Sequence, residues 1–155
     1  MKGLLAQAQA MRERWPGFEV TSGFGPRSLI WIGDLKGLER TFRVWIEYGL
    51  PIPGPHLAMF RQMPVVRILS PRLVPNWEAR DEAPLPHVYF DLEDLTSSPL
   101  CLFDPERGEW GDGCLIAETT VPWTVDWLAC YEGWEATGEW HGGGRHMVPE
   151  GRRYG

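Results

Sequence analysis

Hydrophobic residues recur along the chain first at the spacing of a helix and then at the spacing of strands. Residues 3–14 carry apolar side chains three or four positions apart, which predicts an N-terminal helix that leaves Gln7, Arg12 and Glu13 for solvent. The Pro-Gly pair at positions 16–17 ends this helix, because proline cannot continue it and glycine frees the turn.

Four short stretches rich in β-branched and aromatic residues follow the helix. They are residues 18–21, 28–32, 41–48 and 64–69. Residues 33–37, which combine glycine with charged side chains, predict a hairpin loop between the second and third strands. Because the strands follow one another with short links, the pattern favours an antiparallel meander.

The chain changes character after the fourth predicted strand. Residues 70–86 are rich in proline and polar side chains, which predicts a long surface loop of the kind that often carries function. A second helix is predicted to begin near Thr119 or Thr120, with Pro122 tolerated in its first turn, and to end near residue 136. One face of it forms an aromatic stripe that we interpret as core. The stripe consists of Trp123, Trp127, Cys130 or Tyr131, and Trp134.

These elements predict an α+β protein with an N-terminal helix, a four-stranded antiparallel meander, an active-site loop and a C-terminal helix. A chain of 155 residues fits a single domain spanning residues 1–155. We expect its glycine-rich tail to be mobile from about residue 141. Nine tryptophans predict a core or an interface built from large aromatic anchors, and a tryptophan-rich face is expected to anchor a folded partner.

Composition and charge exclude several classes of function. A net charge of -6 argues against a nucleic-acid footprint. No apolar stretch approaches the roughly 20 residues that span a bilayer, so no membrane association is expected. Three cysteines, an odd number without paired spacing, suit a reducing compartment and predict a cytoplasmic protein.

Cys101 is the candidate nucleophile because of its setting. It lies in a short apolar run closed by Asp104 and Pro105, and a charged turn ending in Trp110 separates it from the second helix. A buried structural cysteine is the competing interpretation, since free cysteines are among the most buried residues. The neighbouring acids disfavour the thiolate, which suits a thiol that accepts an acyl group activated elsewhere. The same acids are placed to deprotonate or orient an incoming amine.

Three short motifs resemble those of ubiquitin-conjugating enzymes. Residues 64–68, Pro-Val-Val-Arg-Ile, resemble the family's Pro-x-Val-x-Phe strand. Residues 86–89, Pro-His-Val-Tyr, fall where the family has His-Pro-Asn, and residues 100–105 with Trp110 fall where it has the nucleophile and the following tryptophan. More narrowly, the chain resembles the bacterial ubiquitin-conjugating-enzyme-like proteins of antiphage cyclic-oligonucleotide signalling (CBASS) operons. The resemblance covers residues 3–136 and implies the ubiquitin-conjugating fold.

The resemblance implies an acyltransferase with a cysteine thioester intermediate. Cys101 would carry the C-terminus of a cGAS-like nucleotidyltransferase and pass it to an amine, and this would prime antiviral signalling. The sequence does not identify the acceptor that provides the amine. His87 is implied as a structural residue of the active-site loop. Tyr89 replaces the family's asparagine, so the missing oxyanion donor is left undecided between Thr96, Ser97 and backbone amides near Cys101. The predicted active-site set is Cys101 with His87, Tyr89, Thr96, Ser97 and Asp104.

Two further interpretations of the same residues remain. One is a non-catalytic binding module of this fold that recruits the cGAS-like nucleotidyltransferase, called the synthase below. The missing asparagine favours this interpretation, and the retained Cys101 opposes it. A cysteine hydrolase would need a histidine base, and the histidines available to it are His87, His141 and His146.

The sequence predicts no cofactor and no metal. A zinc site built from Cys114, Cys130, His141 and His146 would lack the close ligand pairs of structural zinc sites. Glycines 142–144 follow no strand and open no helix, so they do not form a phosphate loop. The activated acyl donor must therefore come from another protein, and the oligomeric state stays open.

Overall fold

A computed structural model describes residues 3–25, 27–49, 63–78, 83–89, 91, 93–104, 107–111 and 113–141. Its elements in chain order are α1 (Leu4–Arg14), β1 (Glu19–Ser22), β2 (Ser28–Lys36), β3 (Thr41–Gly49), β4 (Val65–Ser70), a short 3₁₀ turn (Leu95–Ser97) and α2 (Thr120–Thr137). The predicted α+β order is confirmed. The glycine-rich tail lies, apart from His141, outside the described residues.

The four strands form one antiparallel sheet in the order β1-β2-β3-β4, which confirms the predicted meander. The predicted loop at residues 33–37 is wrong, because β2 continues to Lys36 and the turn comes after it. Leu35 is buried opposite Phe42, so this part of the strand faces the core. Position 33 of the strand holds a glycine because the Phe18 ring covers it. An added Cβ would lie 2.6 Å from that ring.

Helix α1 packs on the segment that precedes α2. Gln7 is fully buried, which corrects the prediction that it faces solvent. Its side-chain amide donates to the Cys114 carbonyl at 2.9 Å, and its side-chain oxygen accepts from the Ile116 N–H at 2.9 Å. The Trp15 indole N–H donates to the Ala117 carbonyl at 2.9 Å. A buried polar side chain is tolerated here because both of its polar groups are paired.

Helix α2 carries the aromatic core predicted from the sequence. Trp127, Tyr131 and Trp134 are buried, and the first two rings stack at 5.5 Å between centroids. Tyr131 also meets Phe42 of the sheet edge to face. The helix ends at Gly138, whose left-handed backbone (φ 80°) suits glycine. These three rings belong to the core, as interpreted from the sequence, whereas Trp123 is only partly buried and packs against it.

The segment after β4 contributes some side chains to the core and exposes others. Leu73 and Leu85 are buried, which corrects the prediction of a purely surface loop over residues 70–86. The Val74 N–H donates to the Tyr131 hydroxyl at 2.7 Å and ties the segment to α2. Among the helices that the structure describes, none has the length and apolar character needed to cross a membrane.

Candidate active site

The chain around Cys101 is held in place by backbone hydrogen bonds on both sides. Leu100 and Val88 form an antiparallel bridge, and the Leu100 N–H donates to the Val66 carbonyl of β4 at 2.9 Å. The Cys101 N–H donates to the His87 carbonyl at 2.9 Å, and the Tyr89 N–H donates to the Pro99 carbonyl at 2.8 Å. We call residues 99–103 the cysteine strip. Its position relative to residues 87–89 is therefore fixed by main-chain pairing.

His87 acts on this arrangement through its backbone. Its carbonyl accepts a second hydrogen bond, from the indole N–H of buried Trp127 at 3.0 Å. Its φ of 54° is unusual for a residue other than glycine, and its ring packs on Trp140 at 4.9 Å between centroids. Burial lowers the pKa of the His87 imidazole, so the ring is neutral at physiological pH. The resemblance implies a structural role, with which these contacts are consistent.

The Cys101 thiol is half-buried and has two described side-chain contacts. The Tyr89 hydroxyl is placed to donate a hydrogen bond to its sulfur, and the thiol donates to the Phe103 carbonyl oxygen at 3.8 Å. Burial raises the thiol pKa most, the Tyr89 hydrogen bond opposes that rise, and the charges of Asp104 and Glu109 add to it. The thiol is therefore mostly protonated at neutral pH.

A groove of about 150 Å³ is lined by the chain neighbours of Cys101, although Cys101 itself is not part of its lining. Its walls are residues 63–65 from the start of β4, the ring of Tyr89, and the strip residues Pro99, Leu100, Leu102 and Phe103. A cavity of about this size admits a benzene ring. The groove therefore has room for one apolar side chain, and its strip residues lie within two positions of Cys101 in the chain.

Thr96 and Ser97 are engaged away from the thiol. The Thr96 hydroxyl donates to the Asp94 carboxylate at 2.6 Å and accepts from Arg72 at 2.9 Å. The Ser97 hydroxyl donates to the Asp94 carbonyl at 3.2 Å. The structure brings Tyr89, rather than these two hydroxyls, to Cys101.

Asp104 closes the cysteine strip at its C-terminal end. Its N–H donates to the Glu109 carboxylate at 2.6 Å, and its own carboxylate lies 3.3 Å from the Arg107 guanidinium. Asp104 thus raises the thiol pKa while forming an ion pair of its own. Both acids were noted in the sequence as neighbours of the cysteine, but their mutual arrangement depends on the turn.

Arg67 is a supporting residue that the sequence reasoning missed. It points outward from β4, its guanidinium donates to the Ser97 carbonyl at 2.6 Å, and it lies 3.7 Å from the Asp91 carboxylate. It thereby fastens the approach to the cysteine strip onto the sheet. The signal in the sequence was a charged residue between the buried Val66 and Ile68 of a predicted strand.

The other cysteines and histidines considered from the sequence do not form a site together with Cys101 among the described residues. Cys130 is half-buried, not core, and its thiol donates to the His141 carbonyl at 3.3 Å, while the His141 ring pairs with Glu139. Cys114 is half-buried, as its position suggested. In the described part of the chain, no group of three or more His, Cys, Asp or Glu side chains could hold a metal. His146 and glycines 142–144 lie outside the described residues.

Comparison with protein-family models gives a match over most of the chain. The model described as "Type II CBASS E2 protein" matches residues 7–147, a span that begins within α1 and includes every later element. A search of curated proteins found none that matches. The matched span includes Cys101, Tyr89 and His87, the residues that meet at the candidate site.

Proposed function

Because the chain belongs to the family of Type II CBASS E2 proteins, we propose that it is an acyltransferase of the ubiquitin-conjugating type in antiviral defence. In this proposal Cys101 carries the C-terminus of a cGAS-like nucleotidyltransferase as a thioester and passes it to an amine. The observation that supports it most directly is that main-chain pairing holds Cys101 in a strip whose other residues all line a groove.

The proposed reaction has two steps. First, the Cys101 thiolate attacks the carbonyl carbon of a donor already activated as a thioester on another protein. The new C–S bond forms, the donor's C–S bond breaks, and the leaving thiolate takes up the proton that Cys101 gave up. Second, an acceptor amine attacks the Cys101 thioester. A C–N bond forms, the C–S bond breaks, and the amine proton passes to a base or to water while the Cys101 sulfur is protonated again.

The electrostatics around the thiol fit this exchange. Burial and two neighbouring carboxylates raise the thiol pKa, which disfavours attack on unactivated amides. Exchange between two thioesters is nearly balanced in energy and requires no strongly activated nucleophile. In this proposal the carboxylate of Asp104, whose charge acts on the Cys101 thiol, receives or orients the incoming amine.

The groove supports the proposed partner. It is lined by the residues on either side of Cys101 and has room for one apolar side chain, as an extended C-terminal tail would require. The nucleotidyltransferase itself would dock elsewhere on the surface, with its tail reaching the groove. This assignment of the partner rests on the family and on the open groove together.

A binding module without catalysis is the second candidate function. The raised thiol pKa favours it, because a protonated and half-buried thiol is a poor nucleophile. In that case the groove would hold the synthase tail without forming a bond to it.

Intact-mass measurement separates the two functions. We expect Cys101→Ser, co-expressed with the synthase and its activating enzyme, to trap the tail as an ester that thiols leave intact and base splits. Cys114→Ser is the matched control, since it removes a half-buried thiol elsewhere. If only unmodified protein is recovered and truncation of the synthase tail leaves binding unchanged, the transferase proposal fails and the binding module replaces it.

A further inference from the structure

Tyr89 and Cys101 lie on one face of a short antiparallel pair. The bridge between Val88 and Leu100 places Tyr89 opposite Pro99 and His87 opposite Cys101. Side chains two positions apart share a face, so Tyr89 is the diagonal neighbour of Cys101. Diagonal neighbours are within reach only of aromatic and other long side chains. This register explains why a tyrosine hydroxyl, rather than a shorter carboxamide, meets the sulfur.

We propose that Tyr89 is a catalytic hydrogen-bond donor that stabilises the Cys101 sulfur as a thiolate, both when it attacks and when it leaves. The inference rests on the proposed acyl transfer. In the first step the sulfur must carry a negative charge before its bond to carbon forms. In the second step the electron pair of the broken C–S bond returns to the same sulfur. A donor aimed at that atom therefore assists both steps.

The surroundings of the sulfur make this donor important. Burial and the charges of Asp104 and Glu109 all disfavour the thiolate, whereas the Tyr89 hydrogen bond favours it. Burial raises the pKa of the Tyr89 hydroxyl far above its usual value, and its contact with Cys101 raises it further. The phenol therefore keeps its proton at physiological pH and acts as a donor rather than as a general base.

Tyr89→Phe removes the hydroxyl and keeps the ring that forms the groove wall. Alkylation of Cys101 by iodoacetamide across a pH series, followed by peptide mass spectrometry, reports the thiol pKa without any acyl donor. Hydrogen bonds to charged groups are worth enough that we expect the midpoint to rise by about one pH unit. Discharge of a preformed Cys101 thioester to an amine should slow about tenfold under single-turnover conditions.

Tyr131→Phe is the matched control, because it deletes a hydroxyl bonded to Val74 and Glu135 far along α2. It should leave the Cys101 alkylation profile unchanged. An unchanged midpoint in folded Tyr89→Phe would overturn the inference. Failure of wild-type protein to form any adduct would refute the proposed function instead, and the alkylation profile would still decide whether Tyr89 stabilises the thiolate.

Discussion

Glu132 of α2 closes the turn between β2 and β3, and its replacement is a stringent test of how the helix is fastened to the sheet. Its carboxylate accepts from the backbone N–H groups of Leu38, Glu39 and Arg40, the last at 3.0 Å, and from the Arg40 guanidinium at 3.2 Å. The Glu132 side chain is only 9% exposed. One side chain thus binds three successive amides of a turn.

The expected loss of stability follows from these contacts. Hydrogen bonds to a charged group contribute about 1.5–3 kcal/mol each, but the turn is exposed and water replaces part of what is lost. The ion pair with Arg40 is half exposed and adds less than about 1 kcal/mol. We therefore expect Glu132→Ala to lower the free energy of unfolding by about 2 kcal/mol.

Gly37 provides an internal check on this contact. A Cβ there would lie 2.3 Å from a Glu132 carboxylate oxygen, so Gly37→Ala should displace the carboxylate from the turn. In the Glu132→Ala background that clash is absent, and the remaining contact, 3.3 Å to Leu128, is tolerable. In that background Gly37→Ala should lower the free energy of unfolding by about 1 kcal/mol less than it does in the wild type. Urea unfolding followed by tryptophan fluorescence measures this difference.

The pH dependence of stability supplies the result that would refute the reasoning. Burial tends to raise the Glu132 pKa, but the N–H donors of the turn outweigh it and the pKa is lowered. A lowered pKa gives stability that is present above the ordinary carboxyl value of about 4.3 and lost as pH falls through the folded value. The difference between wild type and Glu132→Gln should therefore shrink in acid. A constant difference, with equal costs of Gly37→Ala in both backgrounds, would show that the contact does not stabilise the fold.

Two further predictions concern the thiols and acids of the site. In conjugation assays Cys101→Ala should abolish activity, whereas Cys114→Ser should retain it and Cys130→Ala should affect thermal stability at most; equal loss in Cys114→Ser would contradict the assignment of the nucleophile. Asp104→Asn should lower the Cys101 thiol pKa, because a neighbouring negative charge is removed, and speed alkylation by iodoacetamide at neutral pH. An alkylation rate unchanged from wild type would show that this charge does not reach the sulfur.

Hydrophobic periodicity predicted most of the fold because the apolar residues that recur at strand or helix spacing are the ones buried in the structure. It failed at residues 33–37, where Gly33, Asp34 and Lys36 look like a turn and only Leu35 signals a buried strand. It also failed at Gln7, whose partners lie more than a hundred positions along the chain. Neither error was visible locally, since each depends on what the folded chain places next to the residue.

The candidate site, like the fold, could be predicted from the sequence only in part. Cys101 could be selected from its local motif, whereas the donor to its sulfur could not. The sequence suggested the hydroxyls of Thr96 and Ser97 as donors, and in the structure both are bonded to Asp94 instead. The register of a single bridge, between Val88 and Leu100, decides which hydroxyl reaches the thiol. That register follows from the pairing of residues 88 and 100, and the sequence does not show that these two residues pair.

The site geometry is coupled to the aromatic core through the His87 carbonyl. That oxygen accepts from the Cys101 N–H on the strip and from the Trp127 indole on α2. A positive φ in a residue other than glycine costs about 1–3 kcal/mol, and it persists only where the surroundings enforce it. Here the two hydrogen bonds and the stacking on Trp140 supply that constraint. Trp127 and Trp140 thus help to hold the main chain on which Cys101 lies.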